Sequence, residues 1–183
     1  MPPRIGTSGW HYPAGAATWN GVFYPRPRPR GFDELAFYAQ FFDTVEIRVC
    51  DMTTRIDDTI AIAALIQATM GKLYLLYRRN LGFRNYLRAL IEENKWRAVR
   101  YGLDGQMIDF GKNTQVPVRE LILEMIEFVQ EAADIFKSHN ELDRLRTVIQ
   151  EGTSADRQLA IFAKTNSLTA VVDDLIEQSA LGV

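Results

Sequence analysis

The spacing of hydrophobic residues predicts that most of this chain is helical. Apolar residues between positions 118 and 136 recur every 3.6 residues, and the same spacing returns at 142–149 and 168–176. Such spacing is typical of helices that turn one face toward a core. The segment 60–77 is apolar nearly all round, which favours a helix buried within the fold over one that spans a membrane.

The N-terminal part of the chain shows a different pattern. Residues 5–9 and 44–49 are typical of short strands, and residues 33–42 of a short helix between them. Six of the seven prolines and two of the three tryptophans lie within the first 29 residues. We therefore predict an α+β fold, in which a small β-α-β head precedes a helix-rich body of five or six helices.

Composition and charge exclude several classes of protein. The chain has 183 residues, a length typical of one domain or of one domain plus a fragment. Its 21 basic and 23 acidic residues give a net charge of −2, which argues against a nucleic-acid or membrane-surface binder. With one cysteine, two histidines and no secretion signal in the sequence, we expect no disulfide, no Cys/His zinc cluster and a cytoplasmic location.

The predicted strand 44–49 carries the first candidate site. Side chains alternate between the two faces of a strand, so Glu46 and Arg48 share one face. A carboxylate can give Mg²⁺ a hard oxygen ligand, and a guanidinium can hold a phosphoryl or carboxylate oxygen. The alternative is an ordinary cross-strand ion pair on a solvated face.

A second candidate lies on a predicted helix that ends near residue 101. Asn94 interrupts its apolar face, and Arg97 lies one turn further on. A buried amide needs hydrogen-bond partners, which could be a ligand or neighbouring backbone. In the second interpretation, Arg97 and Arg100 pair with acidic residues at the surface.

Other motifs narrow the chemistry without defining it. Thr153 and Asp156 form a capping-box signature, so the segment 152–158 could hold an anion or only begin a helix. The alternating prolines of 25–30 predict an extended connector, or a site for phosphate or an acidic partner. Neither a phosphate-binding loop nor a G-x-G-x-x-G motif is present, so nucleotide chemistry would depend on carboxylates, a metal and arginines.

From residue 46 onward the chain resembles a known ligase family. The segments that carry the resemblance are VEIRVCD (45–51), TRIDD (54–58), ENKWRA (93–98), RYGLDG (100–105) and GTSADRQ (152–158). They resemble the C-terminal part of the type 2 glutamate–cysteine ligases, the YbdK-like carboxylate-amine ligases. This resemblance covers the region 46–183.

The first part of the chain is similar to a different family. The segments IGTSGWHYP (5–13), WNGVFYP (19–25), LAFYA (35–39) and FDTVEI (42–47) are similar to the start of the YecE-like TIM-barrel family, which has no assigned activity to transfer. Both families carry a Thr-Val-Glu-Ile strand. The chain therefore looks like a chimera, with one domain at 1–45 and another at 46–183.

The ligase resemblance implies a specific chemistry and fold. Ligases of this kind are similar to glutamine synthetase: ATP phosphorylates a carboxylate of a small amino-acid substrate, Mg²⁺ assists, and an amine attacks the acyl phosphate. By resemblance, Glu46 would be a metal ligand, Arg48 a catalytic and cofactor-binding residue, Asn94 a cofactor-binding residue and Arg97 a catalytic residue.

The family's upstream half has no counterpart in this sequence, which leads to two further expectations. We expect a truncated ligase that is inactive alone; the alternative is a non-catalytic helical fragment for binding or assembly. An incomplete sheet would also expose strand edges and apolar surface, which favours self-association.

Overall fold

The computed structural model describes residues 6–7, 44–45, 50–82 and 86–180. The chain forms two compact units, Met1–Asp51 and Met52–Val183. In the first unit, strands β1 (Gly6–Thr7) and β2 (Thr44–Val45) pair in parallel. This is the strand pairing that the β-α-β prediction requires, whereas the helix predicted at 33–42 lies outside the described residues.

The second unit is mainly helical, with a small hairpin between its second and third helices. Its helices are α1 (Ile56–Arg78), α2 (Arg88–Tyr101), α3 (Val118–Phe128), α4 (Gln130–Phe136), α5 (His139–Glu151), α6 (Ser154–Thr165) and α7 (Leu168–Ala180). A 3-10 turn (Gly102–Asp104) closes α2, and strands β3 (Gln106–Asp109) and β4 (Thr114–Pro117) form the hairpin. The α+β class is confirmed.

The core lies where α1 packs against α4 and α5. Three alanines of α1 supply the flat contact surface, and larger side chains from the other helices fill the space around them. The buried apolar residues of this cluster are Ala61, Ala64, Ala68, Ile126, Val129, Ala132, Ala133, Leu142 and Leu145. Small residues allow two helix backbones to approach closely, so this face of α1 depends on alanine.

The prediction that α1 is buried all round is wrong for most of its surface. Only 17% of its most apolar window is buried, and Ile60, Tyr74 and Tyr77 are exposed. In the described part of the chain, α1 is also the one helix long and apolar enough to cross a membrane by length and composition. Most of its apolar side chains are therefore left partly or fully exposed in this unit.

The apolar stripe at 118–136 is divided into two helices. Val129 leaves helical geometry, with φ −91° and ψ 0°, and its carbonyl accepts hydrogen bonds from the N–H groups of Ala132 and Ala133. The buried side chain of Val129 fits the core at this bend. Because the stripe continues through the bend, hydrophobic spacing could not locate it, and the described residues contain seven helices instead of five or six.

The sequence pattern predicts strands only at 5–9 and 44–49, so the hairpin was not predicted. Its two strands have four residues each, with Met107 opposite Val116 and Asp109 opposite Thr114. The Asp109 carboxylate accepts hydrogen bonds from the N–H groups of Gly111 and Lys112, and the bond from Lys112 contributes most to lowering the pKa of Asp109. These bonds stabilise the turn.

Candidate functional site

The structure describes two of the four candidate site residues. Glu46 and Arg48 lie outside the described residues. Asn94 and Arg97 lie on α2, and both turn toward the β3–β4 hairpin. The candidate site that the structure describes therefore lies where α2 faces the hairpin.

Asn94 fastens α2 to strand β3. Its amide nitrogen donates to the carbonyl of Ile108 over 2.9 Å, and its amide oxygen accepts from the N–H of Ile108 over 2.8 Å. Both ends of the amide thus bind one backbone position that is 14 residues away in sequence. This is the backbone alternative considered for Asn94, and it makes the residue a positioning element for the site.

Arg97 is held by three oxygen atoms. Its Nε donates to Glu93 over 2.8 Å, one turn earlier on α2. Its Nη1 donates to the Gln106 carbonyl and to the Gln115 side chain, each over 3.2 Å. The guanidinium is therefore fixed in direction by both strands of the hairpin, and within the described ranges no hydrogen bond uses its Nη2.

These side chains border a cleft of about 360 Å³ between α2 and the hairpin. Trp96 and Tyr101 form its aromatic part: their rings meet edge to face, with centroids 5.7 Å apart and planes at 87°. The indole of Trp96 remains 53% exposed. The volume is at the lower end of the roughly 300–1,000 Å³ that small-molecule sites occupy.

The charges of the cleft are balanced by arginines. Glu93 pairs with Arg97, and Asp104 pairs with Arg119 over 2.9 Å. Over residues 50–82 and 86–180, no group of three or more His, Cys, Asp or Glu residues could hold a metal ion. The described residues therefore do not fit a magnesium site.

The arrangement suits an anionic ligand with a flat or apolar part. A guanidinium fixed in direction binds carboxylate or phosphate oxygens through directed hydrogen bonds. An exposed indole beside it offers an aromatic face that can stack on a planar group or cover an aliphatic chain. The two elements lie on consecutive residues, Trp96 and Arg97.

The capping box predicted at α6 is confirmed. The Thr153 hydroxyl accepts from the Asp156 N–H, and the Asp156 carboxylate accepts from the Thr153 N–H over 2.8 Å. The Thr153 N–H, followed by its hydroxyl, lowers the pKa of Asp156. The chain's own carboxylate therefore occupies the position that an anion would take at this helix terminus.

Comparison with known proteins gives the family. A model of glutamate-cysteine ligase family 2 matches residues 38–174. The chain belongs to this family. A second model, a protein family of unknown function called DUF72, matches residues 4–49.

Relatives of the ligase family match at high identity. A protein of Sorangium cellulosum (strain So ce56) named "Putative glutamate--cysteine ligase 2" is 73% identical over 143 residues, which is 78% of this chain and 38% of that protein. A protein of the same name from Solibacter usitatus (strain Ellin6076) is 52% identical over 143 residues, or 37% of its length. The chain thus spans less than two fifths of the curated relatives that it matches.

The comparisons confirm both resemblances read from the sequence. The two family matches overlap at residues 38–49, which include the Thr-Val-Glu-Ile segment. The division at 45 and 46 stays a prediction, as does the role of each candidate site residue. Within the ligase-family region, residues from two of the segments that carry the resemblance, 93–98 and 100–105, line the cleft between α2 and the hairpin.

Sequence reasoning missed the hairpin side of the cleft. Gln106 and Gln115 border the cleft and hold Arg97, but neither stands out in sequence. The strands are joined through the segment Asp-Phe-Gly-Lys-Asn at 109–113, which contains three residue types typical of turns: Asp, Gly and Asn. The last of these, Asn113, has a positive φ. That composition was the available signal for a hairpin.

Proposed function

We propose that this chain contributes part of an ATP-dependent carboxylate–amine ligase of the glutamate–cysteine type. The observation that carries the proposal is its 73% identity over 143 residues to a protein named as such a ligase. The cleft between α2 and the hairpin is the described place where a ligand would bind. Its expected ligands are ATP and a small amino-acid substrate, both of which carry anionic groups.

Arg97 and Trp96 have complementary roles in this proposal. Arg97 binds a phosphoryl or carboxylate oxygen, because three fixed oxygens already set the direction of its guanidinium. Trp96 covers the uncharged part of the same ligand. Asn94 acts as a positioning residue, since its two hydrogen bonds to Ile108 keep α2 against the hairpin.

Magnesium needs residues other than those of the described cleft. Both cleft carboxylates, Glu93 and Asp104, already pair with arginines. Glu46 remains the candidate metal ligand and Arg48 the candidate phosphoryl contact, and both come from the family resemblance. No metal-dependent step is assigned to the described residues.

We also propose that this polypeptide alone does not catalyse ligation. It matches only 38% of the length of its relative, and phosphoryl transfer needs several groups placed together around the transferring phosphate. The competing function is a non-catalytic helical module for binding or assembly. Its support is the same short coverage together with the many apolar residues exposed on α1 and α2.

A fluorescence titration separates these two functions. Mg-ATP is added to the purified chain while tryptophan emission is followed, with the Trp96→Phe variant as the control for the other two tryptophans. We expect a saturable change that Trp96→Phe removes and Arg97→Gln weakens. The control Lys95→Gln, at an exposed position two residues before Arg97, should leave the change as it is in the parent chain. The absence of any saturable change would favour the binding or assembly module.

An activity assay tests the proposed inactivity. The chain is incubated with glutamate, cysteine and Mg-ATP, and both ADP and the amide product are measured. We expect neither above the protein-free control. Amide formation by the chain alone would refute the proposed inactivity and support a complete ligase site.

Two further expectations accompany the ligase function as proposals. One is a cytoplasmic location, where ATP and amino acids are available. The other is self-association through exposed strand edges, such as those of the two-stranded β3–β4 sheet. Gel filtration tests the second, since a compact monomer would contradict it.

A further inference from the structure

We propose that an apolar groove between α1 and α3 is the docking site for the rest of the ligase domain. In the relatives, this is the part of the chain that does not match the present sequence. This inference rests on the proposed ligase function, because the occupant is a segment of such a ligase. The partner is a polypeptide that presents an apolar face. It could be joined to this chain or separate from it.

The groove has a volume of about 410 Å³ and an almost wholly apolar lining. Its lining residues are Thr69 and Leu73 of α1, and Leu121, Glu124, Met125 and Phe128 of α3. Leu73 and Met125 remain 37% and 38% exposed. Covering these aliphatic and thioether side chains with another apolar surface removes them from water, which makes a favourable contribution to the free energy of binding.

The charges around the groove are already paired within the chain. Lys72 donates to Glu131 over 2.8 Å, and Arg79 also bonds to Glu131. The ammonium of Lys72 lies 5.4 Å from the centre of the Phe128 ring, at one side of the groove. Lys112 pairs with Glu124. These paired charges do not favour a charged partner. Apolar packing, as in permanent interfaces, would therefore provide most of the binding energy.

The apolar surface extends along α1 beyond the groove. Tyr74 and Tyr77 follow Leu73 on this helix, and both are more than half exposed. Tyrosine is enriched at protein interfaces because its ring is apolar and its hydroxyl can still reach a polar partner. The surface thus has an apolar centre with tyrosines beside it.

The length of the relatives supports this choice of occupant. More than three fifths of the Sorangium and Solibacter proteins lie outside the segments that match this chain. A polypeptide of that size is large enough to cover the groove and the tyrosines together. A lipid surface fits less well, because the opposite face of α1 packs on α4 and α5 and carries Asp58, which is bonded to Arg144 over 2.8 Å.

Co-expression tests the proposal without assuming that the partner folds alone. The region of the Sorangium protein outside the match is produced with a tag, either alone or together with this chain, and soluble complexes are isolated. We expect a stable one-to-one complex on co-expression. The double variant Leu73→Glu/Met125→Glu should reduce its affinity by about 10-fold or more, equivalent to ~1.4 kcal/mol.

A matched control separates the groove from general surface apolarity. Leu159→Glu/Val172→Glu introduces the same charges at exposed apolar positions of α6 and α7 and should leave complex formation unchanged. Circular dichroism and thermal melting of both double variants verify that each is folded. If the groove variant is folded and still binds like the parent chain, the proposed docking site is wrong.

The remaining outcomes identify other occupants. No complex on co-expression overturns the proposal. A homodimer that only the groove variant disrupts would assign the groove to a second copy of this chain, and groove-dependent binding to phosphatidylcholine vesicles would assign it to a membrane. A complex without ligase activity would support the docking site and contradict the proposed function, so the two failures are distinguishable.

Discussion

Two regions of the helical unit are held together by different forces. Where α1 packs on α4 and α5, the contact consists of fully or nearly fully buried apolar side chains. Along α2 (Arg88–Tyr101), by contrast, no residue is buried, and polar side chains join the helix to the hairpin. The first region is a hydrophobic core, and the second is a hydrogen-bonded attachment.

The difference shows where this unit is complete and where other groups can bind. A packed core excludes ligands because its interior is filled to crystal-like density. The attachment of α2 leaves a cleft beside Arg97 and an uncovered indole at Trp96. Of these two regions, the one with the weaker packing is therefore the one that can bind a ligand, and substitutions in each region test this comparison.

Removing a core side chain should have the largest effect. Leu142 is 1% exposed, and we expect Leu142→Ala to lower the free energy of unfolding by about 4 kcal/mol, through lost burial and the cavity that remains. The matched change on α2, Val99→Ala, should alter it by less than about 0.5 kcal/mol, because Val99 is exposed. Urea unfolding measures both, and equal effects would remove the distinction between the regions.

The ion pair between Asp58 of α1 and the partly buried Arg144 of α5 should rank second. Asp58 bonds to Arg144 and is nearly buried, so Asp58→Ala leaves a guanidinium without its main partner. We expect a loss of about 3 kcal/mol, at the low end for such pairs because Arg144 also approaches Glu151. The adjacent, exposed Asp57→Ala is the control and should cost about 0.5 kcal/mol. Thermal unfolding at neutral pH compares the two.

Breaking the attachment of α2 should rank third. Asn94→Ala removes both hydrogen bonds to Ile108, and we expect a loss of about 2 kcal/mol, mostly from backbone groups left without partners. Amide exchange at Ile108 should accelerate more than exchange in α5. Uniform acceleration throughout the chain would show that the attachment and the core unfold as one unit.

The smallest effect is expected at the capping box of α6, which depends on neither region. Thr153→Ala should cost about 1 kcal/mol, the usual value for an N-cap side chain. Thermal melts at neutral pH measure this loss.

The pH dependence of the capping box follows from the lowered pKa of Asp156. Because the pKa of Asp156 is lower in the folded chain than its ordinary value of 3.8, the ionised carboxylate stabilises the folded chain above pH 3.8. This stabilisation is lost as the pH falls through the pKa of the folded chain. The melting temperatures of the parent chain and of Asp156→Asn should therefore differ at pH 7, begin to approach each other near pH 3.8 and converge once the pH is below the folded pKa. A difference that stays constant with pH would contradict the proposed role of the carboxylate.

Local interactions made part of this fold predictable. The capping box at Thr153 and Asp156 follows from residues three positions apart, and the helices α5 and α7 follow from 3.6-residue spacing. The bend at Val129 and the four-residue strands of the hairpin were not predictable in this way. An apolar stripe can continue through a bend, and strands this short contain too few alternations to distinguish them from a loop.

The candidate site was predictable as a set of residues but not as an arrangement. Asn94 and Arg97 could be selected because polar residues interrupt or border an apolar face. Their partners Ile108, Gln106 and Gln115 belong to the hairpin, which sequence reasoning did not recognise. The choice between ligand and backbone partners for Asn94 needed the position of β3.

The amino-acid sequence alone was sufficient to assign the α+β class with its helix-rich body, the first turn of α6 and membership of the ligase family, because these depend on neighbouring residues or on recognisable segments. Three-dimensional packing was needed to establish which face of α1 is buried, what Asn94 binds and where the cleft opens. Each of these depends on residues distant in sequence. Burial in particular depends on which other surfaces are present. The apolar composition of α1 predicts that the helix packs against other surfaces, but it does not predict which elements these are.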